Sequence, residues 1–96
     1  MVRRACKKDS NHDEIADAFR RLGWLWVDCY QFGQFVPGFP DGLAARDGRV
    51  LWVEVKTAKG RLTPDEVMFR AQLGRDGEYV VVRSVDDVLE LVGCVG

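Results

Sequence analysis

Residues 50–57 read VLWVEVKT, and their alternating pattern predicts a β-strand. Because successive side chains of a strand point to opposite faces, Glu54 and Lys56 share one face and the aliphatic residues between them share the other. Burying two opposite charges in an otherwise apolar strand is costly unless they are paired or bind a metal ion. The strand therefore predicts a functional site, and the alternative is a surface ion pair on an edge strand.

A tight turn precedes this strand. Asp47-Gly48 is a strong signal for a two-residue hairpin, so the previous strand is predicted to pair back with residues 50–57. Counting outward from the turn places Asp41 approximately opposite Glu54, where two carboxylates can share a cation. Hard oxygen ligands without clustered cysteines or histidines favour Mg²⁺ or Mn²⁺. For Asp41 alone, an ordinary Pro-Asp-Gly turn is the alternative.

The remaining elements follow from apolar periodicity and helix-capping patterns. The predicted order is a helix at 11–22, strands at 24–30, 42–46 and 50–57, a helix at 63–73, a strand at 78–83 and a helix at 84–91. The first three strands can form an antiparallel meander, whereas the third and fourth are joined through a helix, which favours a parallel pair. The predicted fold class is α/β, with a small mixed sheet flanked by helices.

The composition is typical of one soluble globular domain spanning residues 1–96, with a frayed basic arm at 1–10. Hydrophobic residues make up 47%, charged residues 30%, and the net charge is −1. The sequence contains neither an apolar run of membrane-spanning length nor a signal-peptide pattern. Three widely spaced cysteines predict reduced thiols. We therefore expect a cytoplasmic protein, in a bacterial or phage-infected host cell, without a membrane partner.

The motifs are similar, in order and spacing, to those of a nuclease family. Pro40-Asp41, a gap of 12 residues and then Glu54-Val55-Lys56 resemble the PD-(D/E)XK signature. The contexts at 37–43 and 60–66 narrow the resemblance to the VRR-NUC (virus-type replication-repair nuclease) branch, and the similarity covers about residues 11–92. The resemblance implies a restriction-endonuclease-like αβββαβ core and a metal-dependent DNA endonuclease.

The resemblance also implies roles for individual residues. A divalent metal ion would be held by Asp41, Glu54 and the backbone carbonyl of Val55. Lys56 would hold or deprotonate the attacking water, or stabilise the developing charge. A glutamate of the first helix, at Glu14, is expected near the metal ion and among the catalytic residues.

Three residues near these positions have competing interpretations. Asn11 and Glu14 have the spacing of a capping box, so the alternative role for Glu14 is to cap its helix. Members of the family often carry glutamine where this chain has Glu66, and Thr63 lies three residues before it, which favours capping there too. The single histidine, His12, is predicted to be solvated rather than a general base.

Binding residues are predicted on two segments. Lys59 and Arg61 closely follow the charged strand and are expected to contact DNA phosphates, as is Gln34 in the loop 31–39. The three phenylalanines of that loop could cover DNA, contact a second copy or fold back onto the core. Nucleases similar to this chain include dimers that act on four-way junctions, which implies a homodimer and branched DNA. The alternatives are a non-catalytic nucleic-acid-binding module and a protein-interaction subunit that retain the fold.

Overall fold

A computed structural model describes residues 8–93, so most of the predicted basic arm lies outside the described residues. The elements in chain order are α1 (His12–Arg21), β1 (Leu25–Asp28), a 3-10 turn (Tyr30–Gln34), β2 (Gly42–Arg46), β3 (Arg49–Val55), α2 (Pro64–Leu73), a second 3-10 turn (Gly74–Asp76), β4 (Glu78–Val82) and α3 (Val85–Val92). This order confirms the predicted α/β class and is compatible with a restriction-endonuclease-like core. Within the described range, no helix has the length and apolar character needed to cross a membrane.

The four strands form one mixed sheet in the order β1-β2-β3-β4. The pairs β1–β2 and β2–β3 are antiparallel, and β3–β4 is parallel, as predicted from the hairpin signal and the intervening helix. Asp47 and Gly48 both have positive φ, at 48° and 82°, which is the geometry of a type I′ hairpin turn. Gly42 pairs with Val53, so Asp41 enters the sheet beside Glu54.

The core lies between the sheet and the two helices α1 and α3. Leu51, Val53 and Val55 of β3 are fully buried in it, which confirms the predicted apolar face of that strand. From α1, Phe19 stacks on Trp26 of β1 with ring centroids 5.5 Å apart. Burial of each such side chain contributes roughly 1.5–3 kcal/mol to folding stability. This layer therefore holds β3 rigidly, while the other face of β3 carries the charges.

The other face of the sheet is covered in part by α2. Phe39, from the loop before β2, packs against Trp52 of β3 and Phe69 of α2, with centroid separations of 5.9 and 5.4 Å. Phe32 contacts Phe39, whereas the side chain of Phe35 is 76% exposed. Part of the aromatic loop therefore packs between the sheet and α2, and part remains at the surface.

The start of α2 follows its sequence pattern closely. The Thr63 N–H donates to Glu66 Oε1 at 2.8 Å, and the Glu66 N–H donates to Thr63 Oγ1 at 3.3 Å, which forms the predicted capping box. Pro64 occupies the first helical position, where its missing N–H costs nothing. This cap fixes Glu66 at the end of the helix that faces the charged side of β3.

Candidate metal centre

The structure brings Asp41 and Glu54 together at the junction of β2 and β3. The register of the hairpin sets Asp41 beside Glu54, and each carboxyl group changes the pKa of the other. Asp41 is held in place because its Oδ2 accepts the backbone N–H of Val55 at 2.8 Å. The hairpin register and this hydrogen bond therefore place the two acidic residues side by side on neighbouring strands, as predicted.

Both carboxyl groups are poorly accommodated as anions. Glu54 is 2% exposed, and its Oε1 has no hydrogen-bond partner among residues 8–93. Burial, reinforced by the Asp41 and Glu66 carboxylates, raises the pKa of Glu54 to about 11. Burial also raises the pKa of Asp41, and it outweighs the opposing effects of Glu54 and of the hydrogen bond from the Val55 N–H. The pair therefore resists carrying two negative charges unless a cation lies beside it.

Lys56 places an ammonium group next to this pair. Its Nζ lies 2.6 Å from Glu66 Oε1 and 3.7 Å from Glu54 Oε2. Burial lowers the pKa of Lys56, but the Glu66 hydrogen bond and the Glu54 charge outweigh burial and raise it. A lysine held in its charged form suits stabilisation of developing negative charge better than removal of a proton from water.

Glu66 contributes more than the predicted helix cap. The same Oε1 that accepts the Thr63 N–H also contacts Lys56, and the Lys56 contact outweighs burial and lowers the pKa of Glu66. The capping box was a sufficient explanation at the sequence level and concealed this second contact. The available signal in the sequence was that the capping residue is an acid, which can also pair with a cation.

The N-terminus of α1 differs from its predicted arrangement. Asn11 makes no side-chain cap; its amide donates instead to the backbone carbonyls of Lys56, at 3.1 Å, and Arg83, at 2.9 Å. The alternative interpretation of Asn11 and Glu14 as a capping box is therefore wrong. The Asn11 Oδ1, the atom that would accept a helix N–H in a cap, has no hydrogen-bond partner among residues 8–93.

Glu14 lies away from the carboxylate pair. Its side chain is exposed and lines a groove with Val85 and Leu89 of α3. The α1 side chain that is buried towards β1 is His12, two positions earlier. Residues two positions apart in an α-helix are separated by about 200° around its axis, so His12 and Glu14 face opposite sides of α1.

His12 is buried, so its predicted exposure is wrong. It is 1% exposed, and its Nε2 lies 2.8 Å from Asp28 Oδ1, an oxygen that also accepts the Trp26 indole N–H at 2.5 Å. The hydrogen bond to Asp28 explains how an imidazole is accommodated in an aromatic pocket. No local pattern indicates this pairing, because Asp28 lies 16 residues away along the chain.

The predicted DNA-binding residues are all exposed. Lys59 and Arg61 lie in the loop between β3 and α2, close in sequence to Lys56, and Gln34 ends the first 3-10 turn. Within residues 8–93, no acidic side chain forms an ion pair with Lys59 or Arg61. Both cations are therefore available to an anionic partner.

The donor set at the centre fits a hard divalent cation. No set of three or more His, Cys, Asp or Glu side chains in the described part of the chain is arranged to hold a metal ion. Mg²⁺, however, is usually bound by only one or two carboxylates together with water and substrate phosphates. Asp41, Glu54 with its unpartnered Oε1, and the predicted carbonyl of Val55 match that mode. Comparisons with protein-family models, curated proteins and solved structures found no match to this chain.

Proposed function

We propose that this chain is a divalent-metal-dependent DNA endonuclease of the PD-(D/E)XK type, in the VRR-NUC branch. The observation that carries the proposal is the pairing of buried Glu54 with half-buried Asp41 across a hairpin, with an ammonium group alongside. Two neighbouring carboxylates, one of them buried, destabilise a fold unless they serve a ligand, and a divalent cation relieves their repulsion. A site selected only for packing would not retain this arrangement.

The chain's own residues account for most of the proposed mechanism. Asp41 and Glu54, with the carbonyl of Val55, would hold Mg²⁺ or Mn²⁺. When bound, the metal ion polarises the phosphate and favours ionisation of a water molecule. Lys56, held by Glu66, stabilises the negative charge that develops on the phosphoryl oxygens. Hydrolysis adds water across one P–O bond and leaves a phosphate on one end and a hydroxyl on the other.

A cleavage assay on linear and branched DNA with Mn²⁺ tests this proposal. We expect Lys56→Ala to lower the cleavage rate by at least about 100-fold, because it removes a charge aimed at the transition state. Arg75→Ala, which removes an exposed cation from the turn between α2 and β4, is the control and should cleave normally. Tight binding by wild type without cleavage would favour a non-catalytic DNA-binding module. Neither binding nor cleavage would favour an interaction subunit.

A homodimer is part of the proposal, and the sheet offers a surface for it. Leu25 of β1, Ala45 of β2 and Val50 of β3 are register neighbours on the face opposite α1, and Leu25 is 63% exposed. Val27, in the next row, is 43% exposed. Exposed apolar patches of this kind mark interaction sites, and this one lies on the sheet face that also carries Glu54. A second copy bound here would bring two sites to one branched DNA molecule.

Val27→Asp is expected to convert the dimer to a monomer, because it places an uncompensated charge within the apolar patch. Light scattering after size-exclusion chromatography at micromolar protein concentration measures the change in mass. Val36→Asp is the matched control, since Val36 is similarly exposed, at 45%, but lies in the loop before β2. A wild-type mass equal to that of one chain would contradict the dimer.

A further inference from the structure

The loop that connects β3 to α2 is held by a single guanidinium group, from Arg83, the residue that follows β4. Arg83 Nη1 lies 2.6 Å from the carbonyl oxygen of Gly60 and 2.8 Å from that of Thr57, with the carbonyl of Ala58 at 3.5 Å. Three carbonyl oxygens therefore converge on one positive charge. No residue of this arrangement has a role in the mechanism above.

The geometry of the peptide bond determines where the other side of the loop points. In a trans peptide the C=O and N–H groups point in opposite directions, and the described backbone contains no cis bonds. Carbonyls directed at Arg83 therefore turn the N–H groups of Ala58, Lys59 and Arg61 away from it. None of these three N–H groups has an acceptor within residues 8–93, whereas the N–H of Gly60 turns inward to Thr57.

This arrangement has the electrostatic character of an anion-binding site. Aligned peptide dipoles point their positive ends to solvent, as in the backbone nests that bind phosphate groups. Lys59 and Arg61 add two exposed positive charges to this loop, and neither forms an ion pair with another residue of 8–93. A Cβ at Gly60 would lie 3.5 Å from the side chain of Lys56, so the loop packs directly against the stem of that residue.

We propose that residues 58–61 form a phosphate-binding loop and that Arg83 is its positioning residue. The loop would hold a phosphodiester group of the nucleic-acid strand next to the one being cut. The identity of this ligand rests on the proposed nuclease function, but anion binding by the loop does not, since it needs neither metal ion nor catalysis.

Amide-resolved NMR of the full chain in EDTA tests the loop directly. Titration with inorganic phosphate should shift the N–H resonances of Ala58, Lys59 and Arg61 saturably, and a short single-stranded DNA should shift them at lower concentration. Arg83→Ala should weaken both titrations by about tenfold, because the carbonyls lose their common donor. Lys59→Gln should reduce the slope of log DNA affinity against log salt concentration by about one, because one phosphate contact is lost. The control Arg75→Gln, at an exposed position, should leave the chemical-shift changes of the loop unaltered.

Each outcome has a defined meaning. Absence of saturable shifts in the wild-type loop overturns the proposal without reference to any variant, so a failure of Arg83→Ala to fold does not leave it untested. A folded Arg83→Ala with wild-type phosphate affinity overturns the positioning role. Phosphate binding without DNA binding overturns the assignment to a nucleic-acid strand. Loop binding in a protein that never cleaves DNA contradicts the nuclease and leaves the phosphate loop standing.

Discussion

Glu54→Gln is expected to abolish metal-dependent DNA cleavage and, in the same molecule, to make the metal-free protein more stable at neutral pH. The substitution keeps the size of the side chain and removes the charge that burial and Asp41 disfavour. Without that charge, the pair loses a ligand for the divalent cation. We expect cleavage to fall by about 1000-fold or more, which corresponds to loss of the metal-assisted step.

The stability effect follows from the raised pKa of Glu54. An unfolded glutamate has a pKa of about 4.3, so the folded protein binds an extra proton between that value and its own higher pKa. Its folding stability is therefore greatest below the unfolded pKa and declines as the pH rises through the window above it. At pH 7.5 the neutral glutamine should be more stable by about 2 kcal/mol, and the slope of stability against pH should flatten.

Urea denaturation between pH 4.5 and pH 8.5, with and without Mn²⁺, measures these quantities. Mn²⁺ should stabilise the wild type at pH 7.5 and have little effect on Glu54→Gln, since only the wild type retains the binding pair. Glu90→Gln is the matched control, because Glu90 is exposed on α3 and should behave as wild type in all assays. A Glu54→Gln variant that is less stable than wild type without metal would contradict this account of the pair.

Gly38→Ala is expected to destabilise the protein by about 3 kcal/mol, although the residue lies in a loop. Gly38 has φ of +81°, and an added Cβ would lie 2.2 Å from the backbone oxygen of Asp65 and 2.9 Å from the backbone nitrogen of Glu66. Those atoms belong to the first turn of α2, so relief of the clash requires moving the helix end that holds Lys56. Cleavage should therefore fall together with stability.

Gly48→Ala is the matched control for this prediction. Gly48 has nearly the same φ, +82°, but no atom of the described residues lies within 4 Å of the added Cβ. Gly48→Ala should lower the folding stability by only about 1 kcal/mol, the penalty for a left-handed conformation, and should leave the cleavage rate unchanged. Thermal unfolding of both variants separates the two costs, and equal losses of stability would show that contact with α2 is unimportant.

The sequence alone was sufficient to predict the central hairpin and its charged pair. The Asp47-Gly48 turn sets the register, and the period of two along β3 sets which side chains share a face, so Asp41 and Glu54 could be placed together by counting. The capping box at Thr63 likewise fixed the start of α2, because it depends on residues three positions apart. These features are local, and local spacing is what a sequence encodes directly.

Only the tertiary structure decided what the side chains at the start of α1 contact. Asn11 matches a helix cap by spacing, yet its amide bridges the ends of β3 and β4. It donates to backbone carbonyls that lie 45 and 72 residues away along the chain. His12 is buried on Asp28, and Glu14 consequently faces the other side of α1. Helix rotation and the meeting of remote backbone groups depend on how the whole core packs, and spacing along the chain does not contain that information.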